Sequence, residues 1–258
     1  MKVLTFHNLK GGVAKTTTAI NTAHILSKVH GYRVLLIDND KQGNTSKFFN
    51  MHDYEQPSIT DVLTVKGFSI AEAIRQTKYD RLHLLPSNMN VLRANKEILL
   101  DYARPQQTRL RDALKQVQEK YDFIVIDCAP DYNMSEINAL VASDHVVIPI
   151  KIDQFTFDGV EMILEQVEDI RNFNPSVEVV GGLVTMFDGS PLHRQCMEWL
   201  RNQEMFPIFD VAIRRSLTID RMTFSKEPII ESSPQSNPAS DYNGFVNEYL
   251  RRIGTILG

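Results

Sequence analysis

The segment Asn8-Leu9-Lys10-Gly11-Gly12-Val13-Ala14-Lys15-Thr16-Thr17-Thr18 decides how the rest of the chain is read. It follows a short apolar run, Lys2–Phe6 (KVLTF), and precedes helical periodicity over about 15–29, which Gly31 ends. A glycine-rich turn between a strand and a helix gathers backbone N–H groups at a helix N-terminus, and such a concavity binds anions. In that setting Lys15 is expected to reach the β- and γ-phosphates of a nucleotide, and the Thr16 hydroxyl to ligate Mg²⁺. The strict pattern GxxxxGK[ST] has glycine where this chain has Leu9 and Ala14; what remains is K-G-G-x-x-K-T-T in the required context. A left-handed backbone at Ala14 would cost its Cβ on the order of 1–2 kcal/mol. The helix that follows therefore predicts a near right-handed Ala14.

Outward from this loop, short β-rich runs alternate with helical patterns. Val34–Asp38, Leu82–Leu85, Phe123–Asp127, His145–Ile150 and Val177–Phe187 read as strands, several of them continuously apolar as in strands covered on both faces. Helical stretches fall at 107–120, 134–143, 156–173 and 191–204. The alternation predicts a mostly parallel twisted α/β sheet with helices on both faces and right-handed crossovers. Residues 50–81 read as a small helical excursion, Glu231–Asp241 (ESSPQSNPASD) as a loop, and Tyr242–Leu257 as a final helix. With no internal repeat or composition break, 1–258 reads as a single domain. The chain has 258 residues, a net charge of −4 and 43% hydrophobic residues, and needs no disulfide or metal to fold. Two distant cysteines, Cys128 and Cys196, point to a reducing compartment, and no apolar run is long enough for a bilayer or a signal peptide. The expected location is the cytoplasm.

Asp127 ends an apolar strand, where a carboxylate faces the crevice at the sheet's carboxyl edge and can hold Mg²⁺ through water. Asp38 and Asp40 stand at the end of the run VLLID and just after it.

KGGVAKTTTAIN resembles the deviant Walker A loop of the ParA/MinD ATPases, which partition plasmids and chromosomes or position division machinery. VLLIDNDKQGN (34–44) resembles that family's switch I segment, usually D-x-D-P-Q-G-N. YDFIVIDCAPDYNMSEINALVASDHVVIPI (121–150) resembles its Walker B and switch II region, with Ala129 where proline is common. GGLVTMFDG and Ile213-Arg214-Arg215-Ser216 resemble further family segments, and the short stretch before the loop fits the Soj-like branch. The resemblance implies a P-loop fold, ATP and Mg²⁺ as cofactors, and slow ATP hydrolysis. It places the nucleotide on Lys10, Gly11, Gly12, Val13, Ala14, Lys15, Thr16 and Thr17, and the metal on Thr16, Asp38 and Asp127. Asp40 would orient or deprotonate the attacking water, and Lys10 would cross an ATP-dependent homodimer interface to the partner's phosphates. A ParB-like activator and nonspecific DNA are the implied partners.

Arg214, Arg215, Arg221 and Lys226, with Arg194 and Arg201 upstream, form the basic stretch that such a DNA surface requires. Ser190 and Thr218 stand where the family's usual DNA-contact arginines align, so neighbouring arginines would take their place. The scattered histidines show no ligand spacing, and Cys128 has no second cysteine in a cluster context. Phe245, Tyr249, Ile253, Ile256 and Leu257 form an apolar stripe on the final helix. With only Arg251 and Arg252 beside it, the stripe is expected to pack on the body and not on a membrane. Two alternatives stand beside partition: a MinD-like positioning ATPase on a membrane, and a small-molecule P-loop enzyme such as a carboxylate-amide ligase.

Overall fold

Seven strands form one sheet in the order β3-β4-β2-β5-β1-β6-β7. They are β1 (Lys2–Phe6), β2 (Val34–Asn39), β3 (Arg75–Gln76), β4 (Leu82–Leu85), β5 (Phe123–Cys128), β6 (His145–Lys151) and β7 (Glu178–Thr185). All neighbours pair parallel except the two-residue edge strand β3. The helices are α1 (Lys15–Lys28), α2 (Asn44–Phe48), α3 (Ile59–Thr64), α4 (Ile70–Ala73), α5 (Val91–Leu100) and α6 (Arg109–Leu114), then α7 (Met134–Ala142), α8 (Thr156–Ile170), α9 (Pro191–Asn202), α10 (Leu217–Ser225), α11 (Ile229–Ser232) and α12 (Asn237–Arg252). This computed structural model describes residues 1–153, 156–203 and 205–256; Glu204 and Leu257, which end two of the expected helices, lie outside them.

β2 and β5 are buried at every position, as their unbroken apolar runs require for strands sandwiched between helix layers. One face packs α1 and α12, where Leu4, Phe6, Leu36 and Val125 meet Phe245, Tyr249 and Leu250. The other packs α3, α5, α6 and α7 around Leu35, Ile37, Ile124 and Ile126. The apolar stripe of the final helix thus belongs to the core: Tyr242, Phe245 and Tyr249 are fully buried, and Ile253 and Ile256 pack against them. Truncating such a ring to alanine typically costs about 3–5 kcal/mol.

The structure corrects several sequence expectations. Glu231–Asp241 is not a loop: α12 begins at Asn237, with Ser236 accepting the Ala239 N–H at 3.3 Å and Pro238 in the first turn. Serine and proline there are the chemistry of a helix start, which composition alone cannot tell from a loop. The 107–120 helix shortens to α6 and a single 3₁₀ turn at Lys115–Val117. β7 ends at Thr185, and Phe187 instead bridges Arg214. The sequence reading passed over α5 because Leu92, Leu99 and Leu100 on it face solvent and blur its periodicity. It also passed over β3 and α10.

Candidate nucleotide site

A cleft of about 1010 Å³ opens at the carboxyl edge of the sheet. Its floor is the loop between β1 and α1, with Gly11 through Thr17 all lining it. Asn8 sets that loop: its Nδ2 donates to Pro149 O at 2.8 Å, and its Oδ1 accepts the Lys10 N–H at 2.8 Å. From the far side Thr185 Oγ1 donates to Val13 O at 3.1 Å. Gly12 and Ala14 both take left-handed conformations, with φ of 70° and 66°. Ala14 is therefore not near right-handed as expected. It is the N-cap of α1 and lies outside the helix, so the helix imposes no right-handed φ on it.

Lys15 is buried, and its Nζ donates to Asn8 O and Lys10 O, each at 2.9 Å. Burial pulls its pKa down, while Asp127, Cys128, Asp40 and Glu136 oppose that shift. The Lys10 side chain turns elsewhere. Its ammonium is paired with both carboxylate oxygens of Asp153, after β6, and it is not among the residues lining the cleft.

Asp38 and Asp127 are register partners on adjacent parallel strands, so two carboxylates stand side by side beneath the cleft, both fully buried. Asp38 Oδ2 accepts the Ser46 N–H at 2.7 Å and its hydroxyl at 2.6 Å; Oδ1 accepts the Asp40 N–H at 3.1 Å. Asp127 Oδ2 accepts the Thr45 hydroxyl at 2.8 Å, whereas Oδ1 is buried without a partner. Burial, then the Asp38 charge, lifts Asp127 to about 8, and burial lifts Asp38 to about 6. Thr45 and Thr16 act against the Asp127 shift. Crowded, desolvated carboxylates with an orphaned oxygen call for a cation. No group of three or more His, Cys, Asp or Glu converges on one point among the described residues. A cation held by Thr16 and Asp127 would thus take its remaining ligands from phosphate and water, as Mg²⁺ does. Asp38, spent on three hydrogen bonds, would act on such an ion through its charge.

Asp40 lines the cleft on the turn between β2 and α2, where its Oδ1 accepts the Gln42 N–H at 2.9 Å. Gly43 closes that turn at φ 62°, and a Cβ there would meet His52 at 2.5 Å and Ser87 O at 2.9 Å. Neither the conformation nor the space admits a side chain.

The far end of the cleft contains residues the sequence reading missed, among them Met186, Asp188, Leu217, Ile219 and Tyr242. Met186 and Asp188 lie in GGLVTMFDG, which the resemblance picked out without giving it a role, and only the fold brings that segment together with Leu217, Ile219 and Tyr242. Beyond Arg215 a second groove of about 490 Å³ is lined by Arg194, Arg214 and Arg215, with Asp188, Ser216 and Asn237. Arg214 is held by Asp241, with Nη2 2.6 Å from Oδ1. Arg194 and Arg215 are exposed and have no ion pair among the described residues. Arg221 and Lys226 do not line this groove, and Lys226 Nζ donates to Asn50 Oδ1 at 2.6 Å. Ser190 and Thr218 belong to helix starts: Ser190 accepts the His193 N–H at 3.3 Å, and the Thr218 N–H donates to Ser216 Oγ at 3.2 Å.

The sequence model of the AAA domain family matches residues 1–179. The sporulation initiation inhibitor protein Soj of Bacillus subtilis is 32% identical over 251 residues, covering 96% of this chain and 97% of its own. The chromosome partitioning protein ParA of Myxococcus xanthus is 30% identical over 256 residues, covering 97% of this chain and 88% of its own. Cobyrinic acid a,c-diamide synthase from Mycobacterium smegmatis, solved with bound ADP and magnesium, superposes with a TM-score of 0.84 at 27% identity. That superposition covers 99% of this chain and 96% of the synthase.

Proposed function

This chain belongs to the ParA/MinD family of P-loop ATPases, and on that premise we propose that it is a partition ATPase of the ParA type. It binds ATP and Mg²⁺ in the cleft over Gly11–Thr17 and dimerises in that state. The dimer binds DNA without sequence preference and hydrolyses ATP slowly until a ParB-like partner accelerates it. The observation that carries the reading is the separation of the two loop lysines. Lys15 lines the cleft, whereas Lys10 stands outside it, paired with Asp153.

When bound, Mg²⁺ would supply positive charge against the charge developing on the phosphates. Thr16 and Asp127 would hold it, Asp38 would add charge from its buried position, and Lys15 would hold the phosphates. Asp40 positions the attacking water by accepting its hydrogen bond. Lys10 of the second subunit completes the charge around the phosphates, so turnover depends on assembly. The protein would act in the cytoplasm, on the nucleoid.

Likeness to the diamide synthase favours a second reading, a small-molecule ligase. ATP hydrolysis with no added substrate separates the two, since a ligase needs its acceptor.

DNA attachment is assigned to the arginine groove, so it must come from Arg194 and Arg215 with a smaller share from Arg214, whose charge Asp241 offsets. A dimer presents the groove twice and gains by valency. Contacts to about four to six phosphates give log affinity against log salt a slope of roughly −4 to −5. Cosedimentation with DNA and a non-hydrolysable ATP analogue at increasing salt checks this, with liposomes as the alternative surface. Replacing Arg194 and Arg215 by alanine is expected to flatten the slope. Liposome binding in place of DNA would favour the membrane reading and overturn partition.

A further inference from the structure

The turn after β2 carries a cation that neither the phosphate loop nor the arginine groove accounts for. Lys41 lines the cleft between Asp40 and Gln42, and its Nζ lies 2.5 Å from Asp131 Oδ2, on the loop leaving β5. Lys41 occupies the place of proline in the pattern D-x-D-P-Q-G-N. Both side chains are about one-third exposed, at 29% and 32%, and ion pairs of that kind are weak enough to exchange partners.

Strand order fixes which end of a nucleotide Lys41 would meet. The cleft begins beyond β7, with Thr185, Met186 and Asp188. It crosses the phosphate loop after β1 and ends beyond β5 and β2, with Pro130, Asp40 and Lys41. With the β-phosphate over the loop and the base toward β7, the terminal phosphate points toward the ends of β5 and β2.

We propose that Lys41 is a terminal-phosphate contact that distinguishes a nucleoside triphosphate from a diphosphate. This rests on the nucleotide reading of the cleft. With a triphosphate bound, the Lys41 ammonium leaves one carboxylate for a more highly charged phosphate, and Asp131 is released. With a diphosphate, Lys41 stays on Asp131. The exchange transmits the state of the nucleotide to the β5–α7 loop, because Asp131 is freed close to the phosphate charge and repelled by it.

The test is calorimetric titration of the whole protein with a non-hydrolysable ATP analogue and with ADP, both with Mg²⁺. It compares wild type, Lys41→Ala, Lys41→Arg and Asp131→Asn. Lys41→Ala is expected to weaken the analogue about tenfold, the scale of one lost charge-assisted hydrogen bond, and to leave ADP unchanged. Lys41→Arg restores most of that affinity. Asp131→Asn removes the competing carboxylate and tightens the analogue about two- to fivefold. Equal weakening of both nucleotides by Lys41→Ala overturns the proposal. So does a shift in the same direction for Lys41→Ala and Asp131→Asn, because the pair would then only brace the turn. A wild-type protein that binds neither nucleotide removes the nucleotide reading, and this inference with it.

Discussion

At Ala14 a methyl group sits on a backbone with φ 66° and ψ 27°, a conformation that glycine adopts at no steric cost. The loop needs that kink to turn its amides inward before α1 begins, and the neighbouring Asn8 and Thr185 hydrogen bonds hold it there. Ala14→Gly relieves the Cβ and loses part of the gain to the freer unfolded chain. The expected net effect is a stabilisation of about 0.5–1 kcal/mol, seen as a higher urea midpoint. A lower midpoint would show that the alanine is not strained. The sequence could reveal that Ala14 departs from the glycine pattern. It could not reveal the handedness, which depends on whether the helix starts at residue 14 or 15.

Among the elements, strands were the most legible, because a strand buried on both faces must run apolar up to its functional end, as FIVI before Asp127 and VLLI before Asp38 do. Helix starts were the least legible. The serines and prolines before α12 read as a loop until the Ser236 cap is seen. α1 carries a consequence no motif announces. His24 is fully buried on it, edge-on to Tyr79, with its centroid 4.5 Å away. Glu231 Oε1 lies 3.3 Å from Nε2 but is not aligned for a hydrogen bond, and Lys28 and Lys78 add positive charge. Burial, then those lysines, lowers its pKa to about 4 from the 6.5 of an exposed histidine. The unfolded chain therefore binds the proton first. His24 contributes stability that is complete above pH 6.5 and lost as pH falls toward 4. Between pH 7 and pH 5 the urea midpoint of the wild type is expected to fall more than that of His24→Leu. Equal falls in the two proteins would contradict this.

For the whole molecule, the cleft divides into a part the sequence announces and a part it does not. Gly11–Thr17 and Asp40 line it and Asp38 and Asp127 lie buried, off its lining; all sit at the ends of β1, β2 and β5, which adjoin in the sheet, so reading the strands correctly was enough to bring them together. Leu217, Ile219 and Tyr242 arrive from the chain's last third, and local pattern carries no trace of their convergence with Met186 of GGLVTMFDG. The arginines were visible as a cluster, but folding sorted them: Arg194, Arg214 and Arg215 share a groove that Arg221 and Lys226 do not line. Lys10 stands outside the cleft that Lys15 lines, and on the proposed reading a second copy of the chain brings it to the phosphates. Light scattering during size exclusion, with Mg²⁺ and either a non-hydrolysable ATP analogue or ADP, tests it most directly. Wild type is expected at twice the monomer mass with the analogue and at the monomer mass with ADP. Lys10→Ala should bind the analogue and stay monomeric, while Lys15→Ala should not bind it. A wild type that stays monomeric under saturating analogue, or a Lys10→Ala protein that dimerises as wild type does, would contradict the account.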